Sequence, residues 1–207
     1  MSVLGTTENS KTLTRIVIRE AVSGHSVSTI AEKAFIASTI TQLTLPKSIT
    51  VIGEFAFAHC LHMISATFGH GDMTIQKSAF YGCANLRSVS CGFVYAISYC
   101  SVAIENRAFC GCKRLLHFEP DISALNENAF EGCSSLEYID LEDNARLEKY
   151  ALRGSAIKRA YVADRVILDR EVVEHLIEHD ILLEMPEYAA ATELMHFGVR
   201  VDAEKYI

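Results

Sequence analysis

The strongest constraint on this chain is a segment that occurs six times around the motif Ala-Phe-x-x-Cys or a close variant of it. Successive copies are 22, 23, 29, 21 and 22 residues apart, measured at Ala34, Ala56, Ala79, Ala108, Ala129 and Ala151. In repeats of this length each unit packs mainly against its two neighbours. The period therefore predicts a solenoid, a stack of similar coils, over residues 30–162.

Around the motif each copy follows the longer pattern I-x-x-x-A-F-x-x-C-x-x-L-x-x-I-x-L. The second copy, IGEFAFAHCLHMISATF at residues 52–68, is a clear example. The last apolar positions of the pattern alternate, which is typical of a short strand with one buried face. Stacked copies therefore predict a parallel sheet. Leu13, Ile16 and Ile18 repeat only this strand half, so we expect the solenoid to begin with half a coil.

Four of the seven cysteines occupy one equivalent position of the repeat: Cys60, Cys83, Cys112 and Cys133, with Ser38 and Ser155 in the end copies. Free cysteine is among the most buried residue types, so we interpret these thiols as a ladder inside the core. An odd number of cysteines and the absence of an N-x-[ST] sequon favour a reducing compartment. The N-terminus does not have the pattern of a signal peptide, so we expect a cytoplasmic protein, or one exported without such a signal.

The repeat pattern resembles the BspA-like family of leucine-rich repeats, and residues 43–60, LTLPKSITVIGEFAFAHC, follow the family pattern most closely. The resemblance spans about residues 13–162. It implies an α/β repeat solenoid, a right-handed coil with a parallel sheet on its concave side, that binds other proteins and does not catalyse a reaction. Relatives are frequently surface, adhesion or host-contact proteins, so a secreted effector or surface protein of a host-associated microbe is the alternative function.

Two segments depart from the repeat. Residues 92–103, GFVYAISYCSVA, form an apolar insertion in the third copy, which we expect to pack on the sheet or to cover an interface. Residues 163–207 are rich in helix formers. A first helix is expected over REVVEHLIEHDILLEM after an N-cap at Asp169, with an apolar stripe of Val172, Val173, Leu176 and Ile177. A second is expected over residues 187–197, closed by Gly198. The sequence thus predicts a half-coil at 1–29, repeats at 30–162 and a helical cap at 163–207.

His175, Glu178 and His179 in the predicted first helix match H-x-x-E-H, the motif of inverted zinc metalloproteases. Such a zinc site needs a third ligand and a cleft, and only a short tail follows the motif. A zinc hydrolase in the tail is therefore a remote alternative, and an exposed polar helix face is the favoured interpretation. No other catalytic motif is present, so we predict no catalytic residue, cofactor or metal.

Composition restricts the partners. The 26 acidic and 19 basic residues leave a formal net charge of −7, and no block of basic residues interrupts the sequence. Such a chain repels a phosphate backbone, so nucleic acid is not expected as a partner. Half of the residues are hydrophobic, which suits a continuous core, but no apolar run has the length of a membrane span.

The side chains between the buried strand positions are expected to face the concave side, where solenoids bind their partners. In the first half of the chain they are small and neutral, namely Gln42, Thr44, Ser65, Thr67, Ser88 and Ser90, after Arg15 and Val17. In the second half they are larger and charged, and tyrosine and arginine are frequent energetic anchors of interfaces. We therefore predict that a protein partner binds at His117, Glu119, Tyr138, Asp140, Arg159 and Tyr161; an ordinary solvated face is the alternative. The identity of the partner and the oligomeric state stay open.

Overall fold

The computed structural model describes residues 2–3, 15–92, 100–163, 165–168, 170–185 and 198–202. Within these ranges the chain forms a parallel-strand β-solenoid in which the strands stack in two rows. The parallel sheet predicted from the alternating apolar positions is confirmed as the first row. The second row was not predicted from the sequence, because most of its strands are too short to show an alternating pattern.

The first row contains β2 (Arg15–Val17), β6 (Gln42–Thr44), β8 (Ser65–Phe68), β10 (Ser88–Cys91), β12 (His117–Phe118), β14 (Tyr138–Leu147), β15 (Arg159–Val162), β17 (Leu182–Glu184) and β18 (Arg200–Asp202). The second row contains β1 (Ser2–Val3), β5 (Thr29–Ile30), β7 (Val51–Ile52), β9 (Met73–Ile75), β11 (Ser101–Ile104), β13 (Asp121–Leu125) and β16 (Val166–Leu168). A small antiparallel hairpin, β3 (Ala21–Val22) and β4 (His25–Ser26), lies outside both rows.

The long strand β14 belongs to both rows. Its first part, from Tyr138 to Leu141, pairs in register with β15 of the first row. Its last part, from Ala145 to Leu147, pairs with β16 of the second row. The two rows are therefore joined through one continuous strand at the coil that carries Tyr138. Strand pairing in the first row runs from β2 to β12 and again from β14 to β18, the latter as part of the larger sheet.

Hydrogen bonds between neighbouring coils continue through the Ala-Phe-x-x-Cys turn. The N–H of Phe80 donates to the carbonyl of Ala108 in the next coil at 2.8 Å, and the N–H of Phe109 donates to that of Ala129 at 2.9 Å. Between these bonds, the N–H of Ala108 donates within its own turn, to the carbonyl of Glu105 at 3.1 Å. N–H groups thus point alternately to the next coil and into their own turn, so the turn satisfies its buried polar groups without a strand.

This alternation requires left-handed backbone on both sides of the Ala-Phe pair. The residue before each repeat alanine has a positive φ, for example 59° at Arg107. So does the residue before each repeat cysteine or serine, which is glycine in four copies, including Gly111 with φ of 77°. The first copy has Ala37 at this place, with φ of 54°, and a side chain there bears a steric cost that glycine avoids.

The core is a column of phenylalanine rings bordered by a column of thiols. The rings of Phe35, Phe57, Phe80, Phe109 and Phe130 stack with centroids 5.0 to 5.5 Å apart. Beside them, the Cys83 thiol donates to the carbonyl of Phe57 at 3.1 Å, and the equivalent thiols of the other copies do the same one coil apart. All four of these cysteines are fully buried, which confirms the predicted core ladder.

The tail differs from the prediction. The described residues contain one helix, α1 (Arg170–Glu178), and the expected continuation to Met185 is wrong. The helix ends because Asp180 is left-handed, with φ of 52°, and the N–H of Ile181 donates back to the carbonyl of Leu176 at 2.9 Å. These are features of a Schellman motif, which stops a helix. The chain then alternates again and forms β17.

Val172 and Leu176 of α1 are buried, but Ile177, predicted in the same stripe, is 44% exposed. The second predicted helix at 187–197 and the N-cap at Asp169 lie outside the described residues, and the helical cap therefore stays a prediction. None of the helices in the described ranges has the length and hydropathy to cross a membrane.

The predicted insertion at 92–103 is shorter than expected. Residues 101–103 belong to β11, which pairs with β9 as Val102 opposite Met73 and Ala103 opposite Thr74. Residues 93–99 and Leu13 lie outside the described residues. Ile16 and Ile18, the other apolar residues of the predicted half-coil, are partly buried and pack against the core.

The left-handed turn positions predict opposite effects of two matched substitutions. A Cβ on Gly111 would meet no atom closer than 3.7 Å, so Gly111→Ala adds backbone strain without a clash. We expect it to lower the free energy of unfolding by about 1 kcal/mol. Ala37→Gly at the equivalent position should raise stability or leave it unchanged, since it removes that strain. Urea denaturation measures both, and an equal loss in the two variants would contradict the role of φ.

Candidate functional site

The predicted partner-binding residues lie on three neighbouring strands of the first row or directly after one: His117 and Glu119 at β12, Tyr138 and Asp140 on β14, and Arg159 and Tyr161 on β15. Tyr138 lies opposite Arg159, and Asp140 lies opposite Tyr161. The residues between them, Ile139 and Ala160, are buried. Because successive side chains of a strand point to opposite faces, the predicted residues of β14 and β15 share the outer face.

Four side chains on this face are in contact. The Tyr138 hydroxyl donates to Asp140 Oδ1 at 2.7 Å. The Arg159 guanidinium lies over the Tyr138 ring, 5.7 Å from its centre, and reaches Glu184 Oε1 at 3.4 Å. Glu184 itself is only 6% exposed. We call Tyr138, Asp140, Arg159, Tyr161 and Glu184 the Tyr138 surface. Its aromatic and charged groups are held in place by each other and by the strands beneath them.

The part of this surface that lies beyond Val162 was not predicted from the sequence. Strands β17 and β18 extend the same two lines of side chains, with Leu182 opposite Arg159 and Glu184 opposite Tyr161. In β18, Arg200 and Asp202 continue these lines. The available signal was the alternation of buried Ile181, Leu183 and Met185, which was assigned to the predicted helix.

Carboxylates crowd one side of the Tyr138 surface. Burial raises the pKa of Asp140, and the neighbouring Glu184 raises it further, against a lowering by the Tyr138 hydroxyl. Burial also raises the pKa of Asp121, with contributions from Asp140 and Glu142. A depression of about 430 Å³ in this region is lined by Asp121, Leu141, Glu142, Asp143, Tyr161 and Ala163. Three of the six residues that line this depression are therefore acidic, and none of them is basic.

His117 and Glu119 lie at the other edge of the predicted site. The His117 side chain is exposed, on a strand that lies next to β14. Glu119 follows that strand, and its carboxylate accepts the backbone N–H of Cys91 at 3.2 Å. Glu119 thus has a role in holding the end of β10, in addition to any contact with a partner.

The tail motif H-x-x-E-H does not gain support from its surroundings. His175 lies on α1, whereas His179 follows its last residue, and their ring centres are 4.0 Å apart. The pKa of His175 is lowered by burial and by His179, against a raising effect of Glu178. Across the described part of the chain, no group of three or more His, Cys, Asp or Glu side chains could hold a metal ion. The predicted remote zinc site therefore lacks a ligand set there.

Solved structures of several bacterial leucine-rich-repeat proteins resemble this fold. A leucine-rich-repeat protein of T. pallidum superposes with a TM-score of 0.52 at 15% identity, over 92% of this chain and 86% of that one. A leucine-rich cell surface protein of Faecalibacterium prausnitzii gives 0.49 at 17% identity, over 84% and 48% of the two chains. A leucine-rich-repeat protein of Bacteroides ovatus gives 0.45 at 16% identity, over 87% and 64%. At these identities the first match supports the fold alone.

No curated protein sequence matches this chain significantly. The family model of the BspA-type leucine-rich-repeat region matches residues 8–100 and 95–167, with six copies. These ranges include all six copies of the repeat motif, the strands from β2 to β15 and the first four residues of the Tyr138 surface. The chain therefore belongs to the family of BspA-type leucine-rich-repeat proteins.

Proposed function

We propose that the chain is a non-catalytic interaction scaffold that binds a protein partner on the Tyr138 surface, with His117 and Glu119 at its edge. The observation that carries the proposal is the contact network of Tyr138, Asp140, Arg159 and Glu184 on neighbouring strands. Such a network is ordered before a partner arrives, so binding loses less side-chain entropy than it would on a loop.

The composition of the surface supports a protein partner. Tyrosine and arginine dominate the energetic centres of protein interfaces because they combine a large apolar area with polar groups. Here two tyrosines and one arginine lie on adjacent strands, whereas the equivalent positions of β6, β8 and β10 carry only serine, threonine and glutamine. The second half of the first row therefore offers more binding energy than the first half.

The charge of the surface favours a partner that presents lysine or arginine. Asp140 raises the pKa of Asp121, and Glu184 raises the pKa of Asp140, so a cation placed beside these carboxylates would lower their repulsion. Arg159 illustrates how the surface accommodates a guanidinium, between a tyrosine ring and a carboxylate. We therefore infer that basic side chains of the partner bind beside the depression that Tyr161 lines.

Removal of the two tyrosines tests the location of the site. Tyr138→Ala with Tyr161→Ala should weaken binding of the partner by about 2 kcal/mol or more, roughly 30-fold. The partner is first identified by mass spectrometry after affinity capture from the native cell, and its affinity is then measured by calorimetry. Tyr150→Ala is the matched control, because Tyr150 is 46% exposed but lies in a turn outside the first row. Equal affinity of the double variant and the control would contradict the proposal.

The raised pKa of Asp140 predicts the pH dependence of binding. A basic partner favours the ionised carboxylate, so affinity should fall as the pH falls towards the pKa of free Asp140, which lies above the ordinary 3.8. This carboxylate interacts with Tyr138, Asp121 and Glu184, and Arg159 contacts two of these side chains. All four residues should be left intact. The affinity is measured by calorimetry from pH 7.5 to about 4.5. The measurements use a His117→Gln background, so that the His117 imidazole does not contribute to the pH dependence. Asp140→Asn should make the affinity less dependent on pH. The same pH dependence with and without this substitution would contradict the inferred charge preference.

A further inference from the structure

Three of the seven cysteines stand outside the core ladder, and two of these, Cys91 and Cys100, lie together at a corner between the two rows. Cys91 is the last residue of β10, and Cys100 directly precedes β11. Cys91 is 9% exposed and Cys100 is 1% exposed. Neither occupies the cysteine position of the repeat, so the packing of the ladder does not explain them.

The next coil holds the two cysteines close together. The N–H of Cys91 donates to Glu119 Oε2 at 3.2 Å, and the carbonyl of Cys100 accepts the N–H of Asp121 at 2.9 Å. Both cysteines are thus bound to residues that are two positions apart in the chain. Strand register agrees, because Val89 lies opposite Phe118 and Ser101 lies opposite Asp121, so both cysteines fall at the level of the short link between β12 and β13. The two thiols also influence each other's pKa.

A second pair of neighbouring thiols, Cys60 and Cys83, provides an internal comparison. The side chain of Cys83 lowers the pKa of Cys60 to about 7. Each sulfur of this pair, however, donates its one proton to a phenylalanine carbonyl of the preceding coil at 3.1 Å. Their turns are joined by a backbone bond of 2.7 Å from His59 to Tyr81, which leaves little freedom to change the sulfur geometry.

We propose that Cys91 and Cys100 form a reversible disulfide, and that this pair is a peroxide-sensitive modification site of the chain. The disulfide would join the end of β10 to the start of β11 and close the segment between them into a ring. The site adjoins Glu119 but does not depend on the proposed binding function.

The chemistry needs one small oxidant, hydrogen peroxide. The Cys100 thiolate attacks one peroxide oxygen, the O–O bond breaks, and hydroxide leaves and takes up the proton that Cys100 lost. The sulfur of Cys91 then attacks the resulting sulfenic acid at Cys100, the S–O bond breaks and the S–S bond forms. The second water leaves with the proton of the Cys91 thiol, so two thiols and one peroxide give one disulfide and two waters.

The environment determines which sulfur reacts first. The hydrogen bond from Cys91 lowers the pKa of Cys100, although burial and the carboxylates of Asp121 and Glu142 oppose this effect. The pKa of Cys91 is raised by the same hydrogen bond, by burial, and by the charges of Cys100, Glu119 and Asp121. Cys100 is therefore the favoured thiolate and Cys91 the thiol that resolves the sulfenic acid.

The test is a peroxide titration of the whole folded chain. The protein is treated with hydrogen peroxide, alkylated under denaturing conditions, digested and read by mass spectrometry. We expect Cys91 and Cys100 to lose alkylation together and to appear in linked peptides, with full recovery after dithiothreitol. Cys60 and Cys83 should keep their alkylation. Two results would overturn the proposal. One is a Cys60–Cys83 disulfide instead of the Cys91–Cys100 disulfide, and the other is full alkylation of Cys91 and Cys100 under conditions that oxidise other thiols.

Two variants keep the test independent of folding. Cys91→Ser should leave Cys100 trapped as a sulfenic acid, detected with a dimedone probe, and Cys100→Ser should leave Cys91 reduced. Cys110→Ser is the matched control, because Cys110 is the more exposed thiol and lies in a turn, donating to Glu131 Oε2 at 3.8 Å. That control should keep the Cys91–Cys100 link. Loss of the link in Cys110→Ser, with circular dichroism unchanged, would show a different pairing and contradict the assignment.

Discussion

The fold depends on the alternating backbone hydrogen bonds of the Ala-Phe-x-x-Cys turn. Because the N–H of Phe80 reaches the carbonyl of Ala108 in the next coil, the turns stack in register, and the phenylalanine rings stack above one another. The thiol of each repeat cysteine then bonds the carbonyl of a phenylalanine one coil away. Coils held in this way place the strand side chains in straight lines, and these lines form the Tyr138 surface.

Much of this fold could be predicted from the sequence because one pattern recurs with a fixed period. The strand register, the buried cysteines and the outward position of Tyr138 and Arg159 all follow from that period. The second row could not be predicted, since strands such as β7 have only two residues. The helix in the tail was extended too far because Asp180, an ordinary residue by type, takes the left-handed conformation that ends it.

The candidate site was predicted as a set of positions but not as a set of contacts. Alternation places Tyr138 and Asp140 on one face, yet only the structure shows the tyrosine hydroxyl bonded to the carboxylate. Glu184 was missed because its strand lies inside the segment that was predicted as a helix, although it pairs with Arg159. The resulting surface combines aromatic rings, one arginine and several carboxylates, a composition that suits a basic protein partner better than a small molecule.

Hydrogen exchange with and without the captured partner is the most direct test of whether the partner binds at the Tyr138 surface, because it reports which strands a partner covers in the intact chain. We expect slower exchange in the peptides that contain β14, β15 and β17, with little change in the Ala-Phe turns on the other side of the coils. Protection confined to those turns, or to the strands of the first half of the chain, would contradict the assignment of the binding surface.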